Sequence, residues 1–142
     1  MISARAACVV LLLLLATAPD VTQAQVTLGQ AHTCALLAGR TVRCWGANDA
    51  GQAAAGPRTA IGDEQDELLT VEALNVGGSV AQIEAGGFHT CALREDGGIR
   101  CWGDGADGKL GQGDTQTRGT ALNDLDGLPD VALGTTASRI AA

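Results

Sequence analysis

Two stretches of the sequence gather its most chemically versatile side chains. His32-Thr33-Cys34 is followed by Cys44-Trp45, and His89-Thr90-Cys91 is followed by Cys101-Trp102. Each stretch offers one imidazole and two thiols, and three chemistries could use such a set. A thiol beside an imidazole can be a nucleophile with its base. Two thiolates and an imidazole can ligate zinc. Two thiols on facing strands can oxidise to a disulfide. Zinc sites usually place their cysteines about two to four residues apart, whereas here the spacing is ten. A catalytic thiol has no partner of its own kind, but every cysteine after residue 24 has one. The oxidised arrangement is therefore expected: Cys34–Cys44 and Cys91–Cys101, with His32 and His89 as hydrogen-bonded structural residues. Trp45 and Trp102 are either packing residues at a sheet edge or interface anchors, since Trp is enriched in binding hot spots. Their recurrence at one repeat position favours packing.

The remaining motifs carry less. Gly103-x-Gly105-x-x-Gly108 has the letters of a dinucleotide fingerprint, but that fingerprint needs a strand before it and a helix after it. The matching first stretch has Asn48 in place of Gly105. Asn and Gly both accept positive φ, so a turn with a left-handed residue is expected there. Asp104, Asp107 and Asp114 could hold calcium, but an EF-hand register ending on Gly108 would put Gly103 and Gly105 at ligand positions. Asp63-Glu64-Gln65-Asp66-Glu67 is expected to be a solvated loop that could also steer a basic partner. No acid–base pair recurs, so the chain is expected not to be an enzyme. No cofactor or metal site is expected.

The elements that hold these residues follow from repetition. GQAHTCALLAGRTVRCWGANDAGQ starts at Gly29 and GGFHTCALREDGGIRCWGDGADGK at Gly86, so matched histidines, cysteines and tryptophans all lie 57 residues apart without a gap. Thr33–Leu37 and Thr41–Trp45 read as strands around Ala38-Gly39-Arg40. Thr90–Leu93 and Ile99–Trp102 flank Arg94-Glu95-Asp96-Gly97-Gly98 in the same way. Short Gly-containing loops between such runs signal β-hairpins. No stretch after residue 24 shows a capped helical stripe. Ile140 lies 57 residues past Ile83, so the last residues resemble the approach to a third copy.

Composition bounds the function. The chain has 142 residues, with 9 Lys+Arg against 16 Asp+Glu and a net charge of -7. Its basic residues are scattered, which argues against binding nucleic acid. Arg5 precedes an apolar run from Ala6 to Ala18, too short to span a bilayer comfortably. A charged start, short apolar middle and small-residue exit make residues 1–24 a secretory signal peptide. Cleavage is expected after Ala24, with the Ala16-Thr17-Ala18 exit as second choice and an uncleaved anchor as the alternative. Cys8 would leave with the leader, and an even set of cysteines in an exported chain suits disulfides. The product is expected to be secreted, periplasmic or at the cell surface, with no membrane attachment after cleavage.

GxxHTCAL, a turn, VRCWGxNxxGQ and LGxGD together resemble the repeat of the regulator of chromosome condensation family. The IGDE and VGGSVAQIEAGG segments are similar to its secreted bacterial branch, whose repeats carry such paired cysteines. The resemblance covers residues 26–142. It implies an all-β protein made of β-propeller blades of four antiparallel strands, with a first repeat over 25–82 and a second, plus the start of a third, over 83–142. Ala53-Ala54-Ala55-Gly56 departs from the family's LGxG, present as Leu110-Gly111-Gln112-Gly113, and a looser first loop is expected. About two blades make an incomplete propeller, because repeat units bury their apolar faces against neighbours. The chain is expected to be a fragment of a longer propeller or to assemble with other chains. Its expected role is a binding module for a protein or extracellular ligand. The alternatives are an exchange-factor-like regulator of a GTPase and a carbohydrate- or calcium-binding surface protein.

Overall fold

A computed structural model describes residues 24–142. The expected signal peptide, with Arg5, the apolar run and Cys8, lies outside the described residues apart from Ala24. The described chain forms two antiparallel sheets. The first has strands β1 (Gln25–Leu28), β2 (His32–Leu36), β3 (Val42–Ala47) and β4 (Ala60–Ile61), in the order β1-β2-β3-β4. The second has β5 (Val80–Ala85), β6 (His89–Arg94) and β7 (Ile99–Gly103), in the order β5-β6-β7. Its fourth strand is reduced to one bridge between Gly103 and Arg118, the counterpart of Gly46 paired with Ile61 in the first sheet.

Both hairpins fold in the register that the cysteine spacing requires. Cys34 lies opposite Cys44 and Cys91 opposite Cys101. The hydrophobic core runs between the sheets. Cys34, Leu36, Val42 and Cys44 from the first meet Val80, Ile83, Ala92 and Trp102 from the second, with Leu125 and Leu128 closing the edge. Alternation along each strand produces this, since every second side chain of a hairpin points to one face. The side-chain amide of Gln25 completes the contact. Its Nε2 donates to the Ile83 carbonyl and its Oε1 accepts from the Ile83 N–H, so a side chain pairs with backbone as a strand would.

The final residues repeat this docking. Gln82 holds Ile140 through the same pair of bonds, Ile140 N–H to Oε1 and Nε2 to the Ile140 carbonyl. Ala137 N–H donates to the Gly97 carbonyl, as Val80 N–H does to that of Arg40. The segment from Ala137 to Ile140 thus follows the path by which β5 enters beside β1.

Among the described residues, helix is confined to Glu67–Thr70 and a 3-10 turn at Ala106–Gly108. The first turn begins at Glu67, the last residue of the segment expected to be a solvated loop. It is held by Glu67, whose carboxylate accepts from the Gly62 N–H and from Arg58. One turn is too short to show a helical stripe.

The expected left-handed residue at Asn48 and Gly105 is not found. Gly105 has φ −92, and Asn48 is not among the positive-φ residues. The two residue types close the same loop in different ways. A Cβ on Gly105 would lie 2.1 Å from the Gln116 carbonyl oxygen, so the glycine admits a close loop. Asn48 spends its amide on the matching loop: Nδ2 donates to the Gly56 and Arg58 carbonyls, and Oδ1 accepts from Ala53 N–H and, more loosely, Ala55 N–H. The substituted loop is therefore tied down by a side chain. Its remaining cost is Ala54, which takes a φ of 53 where its counterpart Gly111 has 69, a region that disfavours a Cβ.

Candidate functional site

A set of buried polar groups lies at the junction of the two sheets. β2 contributes His32, the loop after β3 contributes Gln52, β6 contributes Thr90 and β7 contributes Trp102. The Gln52 carbonyl accepts from the Thr90 hydroxyl at 2.9 Å and from the Trp102 indole N–H at 3.1 Å. His32 Nε2 lies 2.9 Å from Thr90 Oγ1. The threonine proton is committed to Gln52, so the imidazole must donate, and His32 is the Nε2–H tautomer. Its Nδ1 is then a buried acceptor without a partner, as Gln52 Nε2 is a buried donor without one. Gly29 makes room for the ring, since a Cβ there would fall 2.1 Å from Cε1.

Burial pushes the His32 imidazole below its usual pKa, and the neighbouring His89 adds to the effect. A charge on Nδ1 would be enclosed with nothing to accept from it. His89 is also lowered, by burial first and by Lys109 next, with Asp104 pulling the other way.

A hydroxyl against an imidazole has the spacing of a nucleophile and base. Here Thr90 is fully enclosed, and its proton is turned away from the imidazole onto a backbone carbonyl. The junction can therefore fasten two sheets together but cannot present a nucleophile to a substrate.

The structure brings the cysteines together within each hairpin. The Cys34 and Cys44 sulfurs are 2.05 Å apart and those of Cys91 and Cys101 are 2.10 Å apart, each with Cα atoms separated by 4.1 Å. Directly opposed, non-hydrogen-bonded residues of antiparallel strands come this close. The first pair is sealed within the junction, whereas Cys91 is half-buried on the opposite face of the second sheet. Trp102 lies wholly inside, and Trp45, at the matching position, is only partly covered.

The calcium candidates do not converge. Asp104 pairs with Lys109 and accepts from Ala106 N–H. Asp114 pairs with Arg118. Among the described residues no group of three or more His, Cys, Asp or Glu is placed to hold a metal ion, and no helix is long and apolar enough to cross a membrane. A groove of about 440 Å³ opens beside Cys44, between Ala53–Ala55, Val71–Asn75 and Leu122–Asp126. Sequence reasoning missed the groove, which no single motif spans, and the role of Gln52, which ends the repeat motif but acts through its backbone carbonyl.

A four-stranded sheet and a three-stranded sheet with one bridge in place of its fourth strand, stacked face to face, are blades of a β-propeller. Residues 24–52 and 80–109 each match the regulator of chromosome condensation (RCC1) repeat, so the chain carries two repeats of that kind. The chain is 34% identical over 96 residues to the ultraviolet-B receptor UVR8 of Arabidopsis thaliana, covering 66% of this chain and 20% of the receptor. It is 40% identical over 108 residues to the probable E3 ubiquitin-protein ligase HERC6 of Homo sapiens, covering 74% of this chain and 10% of the ligase. Among solved structures it resembles human WBSCR16 with a TM-score of 0.55 and 27% identity, over 69% of this chain and 25% of that one. Yeast RCC1 (Prp20), solved bound to Kap60, gives a TM-score of 0.55 at 18% identity, over 79% of this chain and 25% of that one. The chain thus spans a fifth or less of these two curated relatives and a quarter of these solved propellers.

Proposed function

We propose that this chain is an exported propeller-repeat protein that binds a protein or other extracellular ligand through the surfaces its blades present. The observation that carries the proposal is the pairing of all four described cysteines across two hairpins at one register. Such bridges persist in oxidising compartments and are rare where thiols are kept reduced. The leader read from residues 1–24 would deliver the chain to such a compartment. The paired cysteines also favour the secreted branch of the family over an intracellular regulator.

A binding role suits a site with no exposed nucleophile and no gathered ligands. Protein binding also occurs on the same architecture elsewhere: the similar yeast propeller Prp20 is bound to Kap60 in one structure and is described by its binding to Gsp1p and histones in another. The groove beside Cys44 offers one surface for a ligand, with Asn123, Asp124 and Asp126 supplying polar groups against Ile61, Leu74 and Leu125.

The test is expression with the native leader, followed by recovery of the exported product. Its N-terminus should be Gln25. Its intact mass should rise on reduction by a pair of hydrogens for each bridge. A product retained inside the cell with its leader, or one whose mass is unchanged by reductant, would refute the proposal.

A further inference from the structure

The contact between the two blades shows which side chains a third partner would have to offer. On the facing side of the second blade, Ile83, Thr90 and Trp102 are enclosed. Their counterparts on the first blade are Val26, Thr33 and Trp45, and these lie on its outer face. Val26 is 58% exposed where Ile83 is 0% exposed, and Leu28 is 71% exposed where Ala85 is 8% exposed. The outer face of the second blade carries the complementary set. His89 stands at the repeat position of His32, over Gly86 as His32 is over Gly29, but is half-buried where His32 is enclosed. Cys91, Cys101 and Ile99 continue that face, and Lys109 stands 57 residues after Gln52, at the repeat position whose carbonyl accepts two bonds in the first blade.

The two outer faces are therefore complementary to each other, because each repeats one side of the contact already formed. We propose that copies of this chain associate head to tail. The first blade of one copy docks on the second blade of the next, reproducing the Thr90–Gln52–Trp102 arrangement with Thr33, Lys109 and Trp45. The contact is heterologous and leaves a free face at each end, so the assembly can grow or close into a ring. Its exposed apolar part is Val26 and Leu28, beside the partly covered Trp45, the kind of surface that marks an interaction site. The segment holding Ile140 occupies the inner-strand position on the second blade, so the incoming β1 displaces it and takes its bonds with Gln82. This inference needs only the blade geometry and is independent of export.

The experiment is sedimentation velocity of the oxidised mature chain across a range of concentrations, together with two variants at exposed positions. Val26→Glu places a charge on the first outer face. Lys109→Glu places a second acidic group beside Asp104 on the other. Each alone should weaken self-association by about tenfold or more, as expected for a charge forced into the centre of an interface. Melting temperatures should stay near that of the parent, which shows that both variants fold. Mixed in equal amounts, the two should form a heterodimer, because each retains the face that the other has lost. A parent that stays monomeric at every concentration would overturn the proposal. So would association that survives both substitutions, or a mixture that does not pair.

Discussion

The same residues occur twice in this chain, and the two copies have different surroundings. Trp102 is enclosed and donates to a backbone carbonyl of the other blade, while Trp45 is only partly covered. Thr90 relays His32 to Gln52, while Thr33 lies on an outer face. The Cys34–Cys44 pair is sealed, and Cys91 is partly open. Sequence identity at a repeat position thus sets what a residue can do. Its neighbour blade sets what it does, as expected when stability is shared between intrinsic repeat terms and interface terms.

The comparison is broken most sharply at the tryptophans. Trp102→Ala should cost about 3–5 kcal/mol, the range for truncating a buried aromatic residue. Trp45→Ala should cost roughly 1–2 kcal/mol, since less area is lost from water. Chemical denaturation of each variant measures the gap. Equal losses would mean that the junction carries no more of the fold than the open face does.

The disulfides sharpen the comparison in rate as well as in energy. Both close loops of the same separation, 10 residues. Replacing either pair by alanines should therefore cost roughly 2.5–3 kcal/mol on the chain-entropy view. Access differs, so a mild reductant should open Cys91–Cys101 before Cys34–Cys44. Alkylation and peptide mapping at intermediate times read the order.

The histidines add a pH dependence of known sign. Both folded-state pKa values lie below the ordinary imidazole value of 6.5. The unfolded chain then binds protons first as pH falls. Stability is fully present above about pH 6.5 and declines as pH drops from there towards the lowered values. His32→Asn should flatten this decline more than His89→Asn, because the enclosed Nδ1 of His32 has no acceptor for a proton. Thermal melts over that pH interval show the difference.

The smallest effect is expected at Ala54→Gly. Relief of a left-handed alanine should raise stability by about 0.5–1 kcal/mol, part of the gain being offset by the greater freedom of glycine in the unfolded chain. Gly111→Ala, at the matching site, should lose stability.

Much of this was legible in the residues. The constant spacing of HTC and CWG blocks implied two hairpins, and their cysteines fixed the register that Cys34 and Cys44 adopt. What escaped depended on the neighbouring blade. β1 and β5 are short strands held partly by the amides of Gln25 and Gln82, which look like ordinary surface residues until the adjoining strand is in place. Asn48 suggested a left-handed turn because its partner is Gly105, but the shared requirement is closure of a loop, met by a side chain in one copy and by the absence of one in the other. Gln52 joins the junction mainly through its backbone carbonyl, to which sequence patterns are blind.

The linkage of the two blades through His32, Thr90 and Gln52 is tested most directly by a double-mutant cycle. His32→Ala, Thr90→Ala and the double variant are compared with the parent by denaturant unfolding. The expected coupling is about 1 kcal/mol, in line with one buried hydrogen bond whose loss strands a second group. Losses that add to within about 0.3 kcal/mol would show that the two residues act independently and would contradict the junction described here.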